Sequence, residues 1–131
     1  MKHLNLYRNK VDVDGARALR ELLKVNSTLE FLDVGYNRLR EKGIKAITDG
    51  IIENPTSSVK HLGIRFNFIK DDGFQYLFDN AIFAEGKSKI THIYMMQNYL
   101  SEHYTVQLGA KVEQLGLQIY IDSFEKLQYL S

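Results

Sequence analysis

Three histidines occupy related places in the chain and are the first residues to consider for chemistry. His3, His61 and His92 each precede an aliphatic residue in short segments that resemble one another. Imidazole nitrogens are common zinc ligands, and residues paired on neighbouring strands lie about 5 Å apart. No carboxylate shares their place, which Phe31 occupies in a further copy of the segment. Because a closed zinc site needs four ligands, we predict no metal and no cofactor, and a pH-sensitive interface is the alternative.

Two pairs of carboxylates are the next candidates, because paired carboxylates suit acid–base catalysis. Asp12 with Asp14, and Asp71 with Asp72, each precede a stretch with helical periodicity. Acidic side chains at such places stabilise the positive end of the helix dipole, so we predict a structural role. The sequence has no G-x-S-x-G, P-loop or H-E-x-x-H motif, and no cysteine for a nucleophile, a disulfide or a zinc site. These observations predict a non-enzymatic protein.

A repeated pattern supplies the elements that position these residues. The segment from Leu29 to Leu39 has apolar residues at its positions 1, 4, 6 and 11 and an asparagine at position 9. The other copies have Met1, Leu4, Leu6, Asn9 and Val11, then Val59, Leu62, Ile64, Asn67 and Ile69, then Ile90, Ile93, Met95, Asn98 and Leu100. The shared pattern, L-x-x-L-x-L-x-x-N-x-L, is the signature of a leucine-rich repeat.

Each part of the pattern has a physical role. Positions 4 and 6 alternate, so their side chains point to one buried face of a short strand. The asparagine follows the strand, and its side chain can both donate to and accept from backbone groups that the turn leaves unpaired. Stacked repeats place Asn9, Asn37, Asn67 and Asn98 in one column. We expect each asparagine to tie its turn to the next one.

Helical periodicity follows each strand pattern and predicts one amphipathic helix per repeat. The inward-facing residues of the first two helices are predicted to be Gly15, Ala18, Leu19, Leu22 and Leu23, then Gly43, Ala46, Ile47, Gly50 and Ile51. Those of the next two are Gly73, Tyr76, Leu77 and Ala81, then Val106, Leu108 and Val112. Tyr104 stands where the frame places glycine in the other repeats.

The chain of 131 residues is predicted to form one domain. The repeats cover about 1–28, 29–58, 59–89 and 90–115, and residues 116–131 form a final strand and a C-terminal capping helix. Phe124, Leu127 and Leu130 lie on one side of that helix, which would cover the last open core of the solenoid.

Charge and hydropathy limit the classes of partner. The net charge is +1, which gives no general attraction to nucleic acid or to an anionic membrane. No run approaches the roughly 18 apolar residues of a membrane span, and no apolar signal-peptide core follows Met1. We therefore expect neither nucleic acid nor membrane as a partner, and a cytoplasmic location, which would be the host cytosol for a secreted effector.

Asparagine spacings of 28, 30 and 31 residues, with a glycine six residues later in the first three repeats, resemble the ribonuclease-inhibitor-like leucine-rich repeats. The resemblance covers about residues 1–115. It implies an α/β solenoid, a short horseshoe with a parallel sheet on the concave face and helices on the convex face. It also implies binding of another protein. The alternatives are a GTPase-activating or other regulatory repeat domain, or a fragment of a larger receptor or bacterial effector.

Positions 3, 5, 7 and 8 of the frame point away from the core and form the predicted partner-binding surface. Their residues are His3, Asn5, Tyr7, Arg8, Phe31, Asp33, Tyr36, His61, Arg65, Phe66, His92, Tyr94, Met96 and Gln97, with Tyr120 extending the row. Gly35 and Gly63 stand among them. The aromatic residues, methionine and arginine in this set are enriched at protein interfaces, whereas lysine and glutamate are missing from it.

The first strand begins almost at the first residue, so the sequence offers nothing to cover its outer edge. An uncovered edge and open core favour association. We therefore expect the isolated chain to form a homodimer or higher assembly through the first repeat, with Leu19, Leu22 and Leu23 partly involved.

Overall fold

Alternating strands and helices form the described part of the chain, which in this computed structural model is residues 1–122. The strands are β1 (His3–Asn5), β2 (Phe31–Asp33), β3 (His61–Gly63), β4 (His92–Tyr94) and β5 (Tyr120–Ile121). The helices are α1 (Val13–Val25), α2 (Arg40–Ile52), α3 (Asp71–Leu77), which a wider π-helical turn at Phe78–Ile82 continues, and α4 (Glu102–Gln114). The predicted helix with Phe124, Leu127 and Leu130 lies outside the described residues.

The five strands form one open parallel sheet in the order β1-β2-β3-β4-β5. Each position of the repeat pairs with the same position of the next repeat, so that Leu32 lies between Leu4 and Leu62. His61 pairs with His92, and His92 pairs with Tyr120. The α/β leucine-rich repeat fold predicted from the sequence is therefore confirmed.

The core lies between the sheet and the helices. Position 4 of the inner strands is fully buried at Leu32, Leu62 and Ile93, and position 6 is fully buried at Val34 and Ile64. Because strand side chains alternate in direction, these residues pack against the helices and positions 3 and 5 face the other way. We call this other side of the sheet the open face.

The asparagine column forms, but its bonds run backwards along the chain. Asn37 Oδ1 accepts from the backbone N–H groups of Asn9 and Val11, and Asn37 Nδ2 donates to the Leu6 carbonyl. Asn98 accepts in the same way from Asn67 in the repeat before it. The expectation that each asparagine ties its turn to the next repeat is therefore wrong in direction, because the loop of the preceding repeat supplies the unpaired groups.

The first member of the column differs from the others. Asn9 is exposed, and its side chain donates to the Tyr7 carbonyl within its own turn. Asn37 and Asn67 are buried. The hydrogen-bonding role between repeats that was predicted for all four asparagines is therefore not shared by Asn9.

A second set of asparagine bonds lies where the helices end and the chain returns to the start of the next strand. Asn26 Oδ1 accepts from the backbone N–H groups of Thr28 and Leu29. The buried Asn54 donates back to the carbonyls of Leu23 and Asn26. The bonds of Asn54 therefore join the first two repeats at this end of the strands.

The inward stripes of two helices differ from the prediction by one residue. Ala18 is exposed and Ala16 is buried beside Leu19 and Leu23, at the i, i+3, i+7 spacing of one helix face. Likewise Val106 is exposed. Thr105 takes the buried place in α4, because its hydroxyl donates to the Ser101 carbonyl and is thereby satisfied.

The carboxylate pairs stand at helix starts, as predicted. Asp12 caps α1 by accepting from the backbone N–H groups of Asp14 and Gly15. Asp71 and Asp72 lie in the first turn of α3. Asp71 also accepts from Ser101 in the next repeat, so this pair serves the fold.

Candidate functional site

A row of rings in contact, stacked at its centre and tilted at its two ends, crosses the open face from β1 to β5. It consists of the residues at position 3 of each repeat, and we call it the ring row: His3, Phe31, His61, His92 and Tyr120. The distances between successive ring centroids are 5.2, 5.0, 4.2 and 5.6 Å. The strand spacing of about 4.8 Å suits such stacking, so the register of the sheet produces the row.

Polar contacts hold the rings in place. The Tyr94 hydroxyl lies 3.0 Å from His61 Nδ1, and the Tyr94 ring lies parallel to that of Phe31 at 5.9 Å. The Arg65 guanidinium lies 5.2 Å from the Tyr94 ring, and Arg65 Nε donates to Asp122 Oδ2 at 2.8 Å. These contacts order the side chains of the open face.

Asp122 is a buried carboxylate that was not among the predicted partner-binding residues. Its Oδ1 accepts from the Met95 backbone N–H at 2.8 Å, while Oδ2 accepts from Arg65. The ion pair raises the pKa of Arg65 further above its ordinary value, because the charged guanidinium gains a hydrogen bond. Asp122 thus links β5 to two earlier repeats, and the only signal in the sequence was its place after the final strand.

A second line of aromatic rings borders the open face where the chain leaves the strands. We call it the rim row: Tyr7, Tyr36, Phe66, Phe68 and Tyr99. Tyr36 and Phe66 are stacked at 4.9 Å, and the Tyr36 hydroxyl donates to Gln97 Oε1 at 2.6 Å. Phe68 and Tyr99 were not predicted as site residues because they stand at position 10, which the prediction left out.

Position 8 has left-handed backbone in all four repeats, although none of its residues is glycine. The φ angles are 59° at Arg8, 56° at Tyr36, 49° at Phe66 and 64° at Gln97. This conformation costs a non-glycine residue roughly 1 kcal/mol or more. The same conformation recurs at this position of each turn. It directs these side chains toward the border of the open face where the rim row lies.

A hollow of about 130 Å³ interrupts the aromatic surface. It lies where Gly35 and Gly63 replace larger side chains, and it is lined by Tyr7, Phe31, Asp33, Arg65 and Tyr94 as well. A Cβ atom at Gly63 would lie only 2.9 Å from Asp33 Oδ1, so a larger residue there would displace the Asp33 side chain. The two glycines, predicted to face the partner, are buried and shape the hollow from below.

The histidines of the ring row are arranged for stacking. His61 Nδ1 faces the Tyr94 hydroxyl, and His92 Nδ1 lies 2.8 Å from the Thr91 hydroxyl. Burial lowers the pKa of His61, and the neighbouring His92 lowers it further. Residues 1–122 contain no group of three or more His, Cys, Asp or Glu side chains placed to hold a metal ion.

The predicted partner-binding residues lie together on the open face and its rim. Tyr7, Arg8, Arg65, Phe66 and Gln97 are exposed. Others are half-buried, namely Phe31, Asp33, Tyr36, His61, His92, Tyr94, Met96 and Tyr120. His3 and Asn5 are exposed at the β1 edge, and Asn5 Oδ1 accepts from the Tyr7 backbone N–H. Whether this surface binds a partner stays a prediction.

Comparison with known proteins agrees with the architecture. A family model described as "Leucine Rich repeat" matches residues 25–47. "Leucine-rich repeat-containing protein 41" of Mus musculus is 35% identical over 80 residues, which make up 61% of this chain and 10% of that protein. The protein of the same name in Homo sapiens gives the same values. The chain thus spans about a tenth of the length of these curated relatives.

A solved structure titled "Leiomodin-1 Actin-Binding Site 2 (ABS2)" has a similar fold. The TM-score is 0.70, with 14% sequence identity, over 82% of this chain and 61% of that chain. At this identity the likeness concerns the arrangement of strands and helices. Within the described residues, no helix is long and apolar enough to cross a membrane.

Proposed function

Because this chain is a leucine-rich repeat protein, we propose that it is a non-enzymatic module that binds a partner protein through the open face and the loops after its strands. The observation that supports this proposal is the ring row, which runs without a break across all five strands. Stacked aromatic side chains at the centre of a surface are typical of protein interfaces. A sheet face that only contacts water has no need of them.

The surface combines anchors with specific polar groups. Phe66 and Tyr7 are 40% and 39% exposed, so each offers apolar area that a partner can cover. Arg65 and Asp33 both line the hollow. Their opposite charges would orient a partner on the surface. Large side chains that are already ordered bind with a smaller entropy cost than flexible ones.

We further propose that the first repeat associates with a second copy of the chain. Within residues 1–122, β1 pairs with β2 on one side and lies at one edge of the sheet. Leu4 and Leu6 are only half-buried, whereas Leu32 and Val34 at the same positions of the next repeat are fully buried. The outer side of an edge strand has unpaired backbone N–H and C=O groups. The β1 strand of a second copy would pair with these groups and cover Leu4 and Leu6.

Affinity capture with a matched pair of variants tests the binding proposal. Phe66→Ala removes an exposed ring from the rim row, and Val106→Ala removes an exposed apolar side chain from α4, where Val106 is 57% exposed. We expect a protein that the original chain captures to be lost with Phe66→Ala and retained with Val106→Ala. Both variants should melt within a few degrees of the original chain, since exposed substitutions usually change stability by about 0.5 kcal/mol or less.

Equal capture by both variants would overturn the proposed surface. A large loss of melting temperature in Phe66→Ala alone would also count against it, because the ring would then serve the core. A partner lost only with Val106→Ala would move the interface to the helices.

A further inference from the structure

The loops after β1, β2 and β3 form a pocket that differs in charge from the rest of the molecule. The pocket has a volume of about 320 Å³ and is lined by Arg8, Lys10, Tyr36, Asn37, Arg38, Phe66 and Phe68. The chain as a whole has a net charge of only +1. Three basic side chains therefore meet around an aromatic wall, and Arg40 lies beside them with its guanidinium 5.7 Å from the Phe68 ring.

Two of these cations contact aromatic rings, and none is paired with a carboxylate of the described residues. Within residues 1–122, none of Arg8, Lys10, Arg38 and Arg40 forms a salt bridge, whereas Arg20 and Arg65 do. All four side chains are exposed. The Arg8 guanidinium lies 5.1 Å from the Tyr36 ring, so the aromatic wall positions the charge without neutralising it.

We propose that this pocket binds an acidic peptide segment of the partner protein, with glutamate or aspartate carboxylates facing the cations. The inference rests on the proposed function and names the chemistry of the partner at one end of the interface. Arginine matches a carboxylate with two parallel hydrogen bonds, and the rings of Tyr36, Phe66 and Phe68 contact the apolar parts of the same segment. The charge of the pocket makes an acidic segment the complementary occupant.

The surroundings favour a peptide over a nucleic acid strand. In the chain, the pocket residues of the first two repeats are followed by Asp12, Asp14 and Glu41, in the first turns of α1 and α2 or just before them. A nucleic acid strand carries a negative charge at every nucleotide, so it would extend charge beyond the cations. A peptide can place its carboxylates at the cations alone, and six extended residues span about 20 Å, enough to cross the three loops.

Fluorescence anisotropy with labelled synthetic probes tests the proposal on the full chain. The probes are hexaglutamate, hexaglutamine, a phosphoserine hexapeptide and a hexauridine strand. We expect hexaglutamate to bind and hexaglutamine not to bind. The affinity for hexaglutamate should fall as salt increases, since exposed charges are screened over about 10 Å at 0.1 M ionic strength.

A double variant, Arg8→Gln with Arg38→Gln, is expected to weaken hexaglutamate binding at least tenfold. Glutamine is tolerated at position 8, because Gln97 has the same left-handed backbone in the fourth repeat. The matched control is Lys87→Gln with Lys89→Gln, which removes two exposed charges from the loop that precedes β4. This control should bind hexaglutamate as the original chain does.

Several outcomes would overturn the inference. Equal loss in both double variants would show a general charge effect. Binding of the phosphoserine peptide or of hexauridine without binding of hexaglutamate would assign the pocket to another anion. If no probe binds while Phe66→Ala still loses a captured partner, the acidic-peptide inference fails and the proposed function stands. If hexaglutamate binds as expected but capture does not depend on Phe66, the proposed function fails instead.

Discussion

At the scale of single residues, the side chain of Asn37 connects the first two repeats by hydrogen bonds. Its side chain accepts two backbone N–H groups and donates to the carbonyls of Leu6, Val34 and Gly35 while 3% exposed. Truncation leaves buried groups unpaired, so we expect Asn37→Ala to cost about 1–3 kcal/mol of unfolding free energy. Asn67→Ala should behave in the same way, since Asn67 is fully buried.

Urea denaturation measures this effect, with Asn9→Ala as the control. Asn9 has the same place in its repeat but is exposed, so its loss should change the free energy of unfolding by about 0.5 kcal/mol or less. Similar urea midpoints for Asn37→Ala and Asn9→Ala would show that the asparagine column does not stabilise the contact between the repeats.

The ring row should make stability depend on pH through His61. Burial lowers the pKa of His61 below its ordinary value of 6.5, as do the charges of His92, His3 and Lys60, while Glu30 opposes them. The unfolded chain therefore takes up the proton at a higher pH than the folded chain does. Stability should be full above about pH 6.5 and should decrease as the pH falls below it.

Replacing His61 by phenylalanine, the residue at this position in β2, tests the pH effect. His61→Phe keeps a ring in the row and removes the titrating group. We expect its free energy of unfolding to change less between about pH 7.5 and about pH 5.5 than that of the original chain. Parallel curves for the two proteins would contradict the assignment to His61.

At the scale of the elements, Gly50 sets the distance between α1 and α2. A Cβ atom there would lie 2.9 Å from Leu23 Cβ and 3.0 Å from the backbone Cα and O atoms of Arg20. Backbone atoms cannot move aside without shifting α1. We therefore expect Gly50→Ala to destabilise the protein by about 1–3 kcal/mol, although alanine favours a helix over glycine by about 1 kcal/mol.

The reverse substitution at an exposed place gives the size of the helix-propensity term. Ala18 lies on the exposed side of α1, so Ala18→Gly should lose only the roughly 1 kcal/mol of propensity. A Gly50→Ala protein that is more stable than the original chain would show that the two helices have room to separate.

At the scale of the whole molecule, each repeat packs against its neighbours and the sheet has two edges within the described residues. We expect the isolated chain to self-associate through the β1 edge and α1. Leu22 is the half-buried residue of the stripe once predicted to take part, whereas Leu19 and Leu23 are buried against the rest of the core. Only Leu22 is therefore available for contact.

Sedimentation velocity at several concentrations measures the association. Leu22→Gln should shift the chain toward monomer, and Val25→Gln, at an 81% exposed place on the same helix, should leave the association unchanged. A monomer at all concentrations, with slow hydrogen exchange in β1, would show that the edge needs no cover.

The sequence by itself determined the repeat frame, the fold and the composition of the open face. Alternation with a period of two places Leu32 and Val34 inside and Phe31 outside, whatever the rotamers of these residues. Four copies in one register then bring His61 beside His92, because equal positions pair in a parallel solenoid. This reasoning was weaker in the helices, where the apolar spacing also fitted a stripe through Ala18 and Leu22, whereas the packing of α1 buries Ala16.

Only the tertiary structure decided how these residues act together. The rotamers that stack Phe31 on His61, and the bond from Arg65 to Asp122 across 57 residues, depend on side-chain packing that no spacing reports. The basic pocket is a further case, since Arg8, Arg38 and Phe68 come from three repeats and line one pocket only once the loops of these repeats lie side by side. Local periodicity fixes the direction of a side chain, whereas contacts between repeats depend on distances of a few ångströms that the assembled sheet sets.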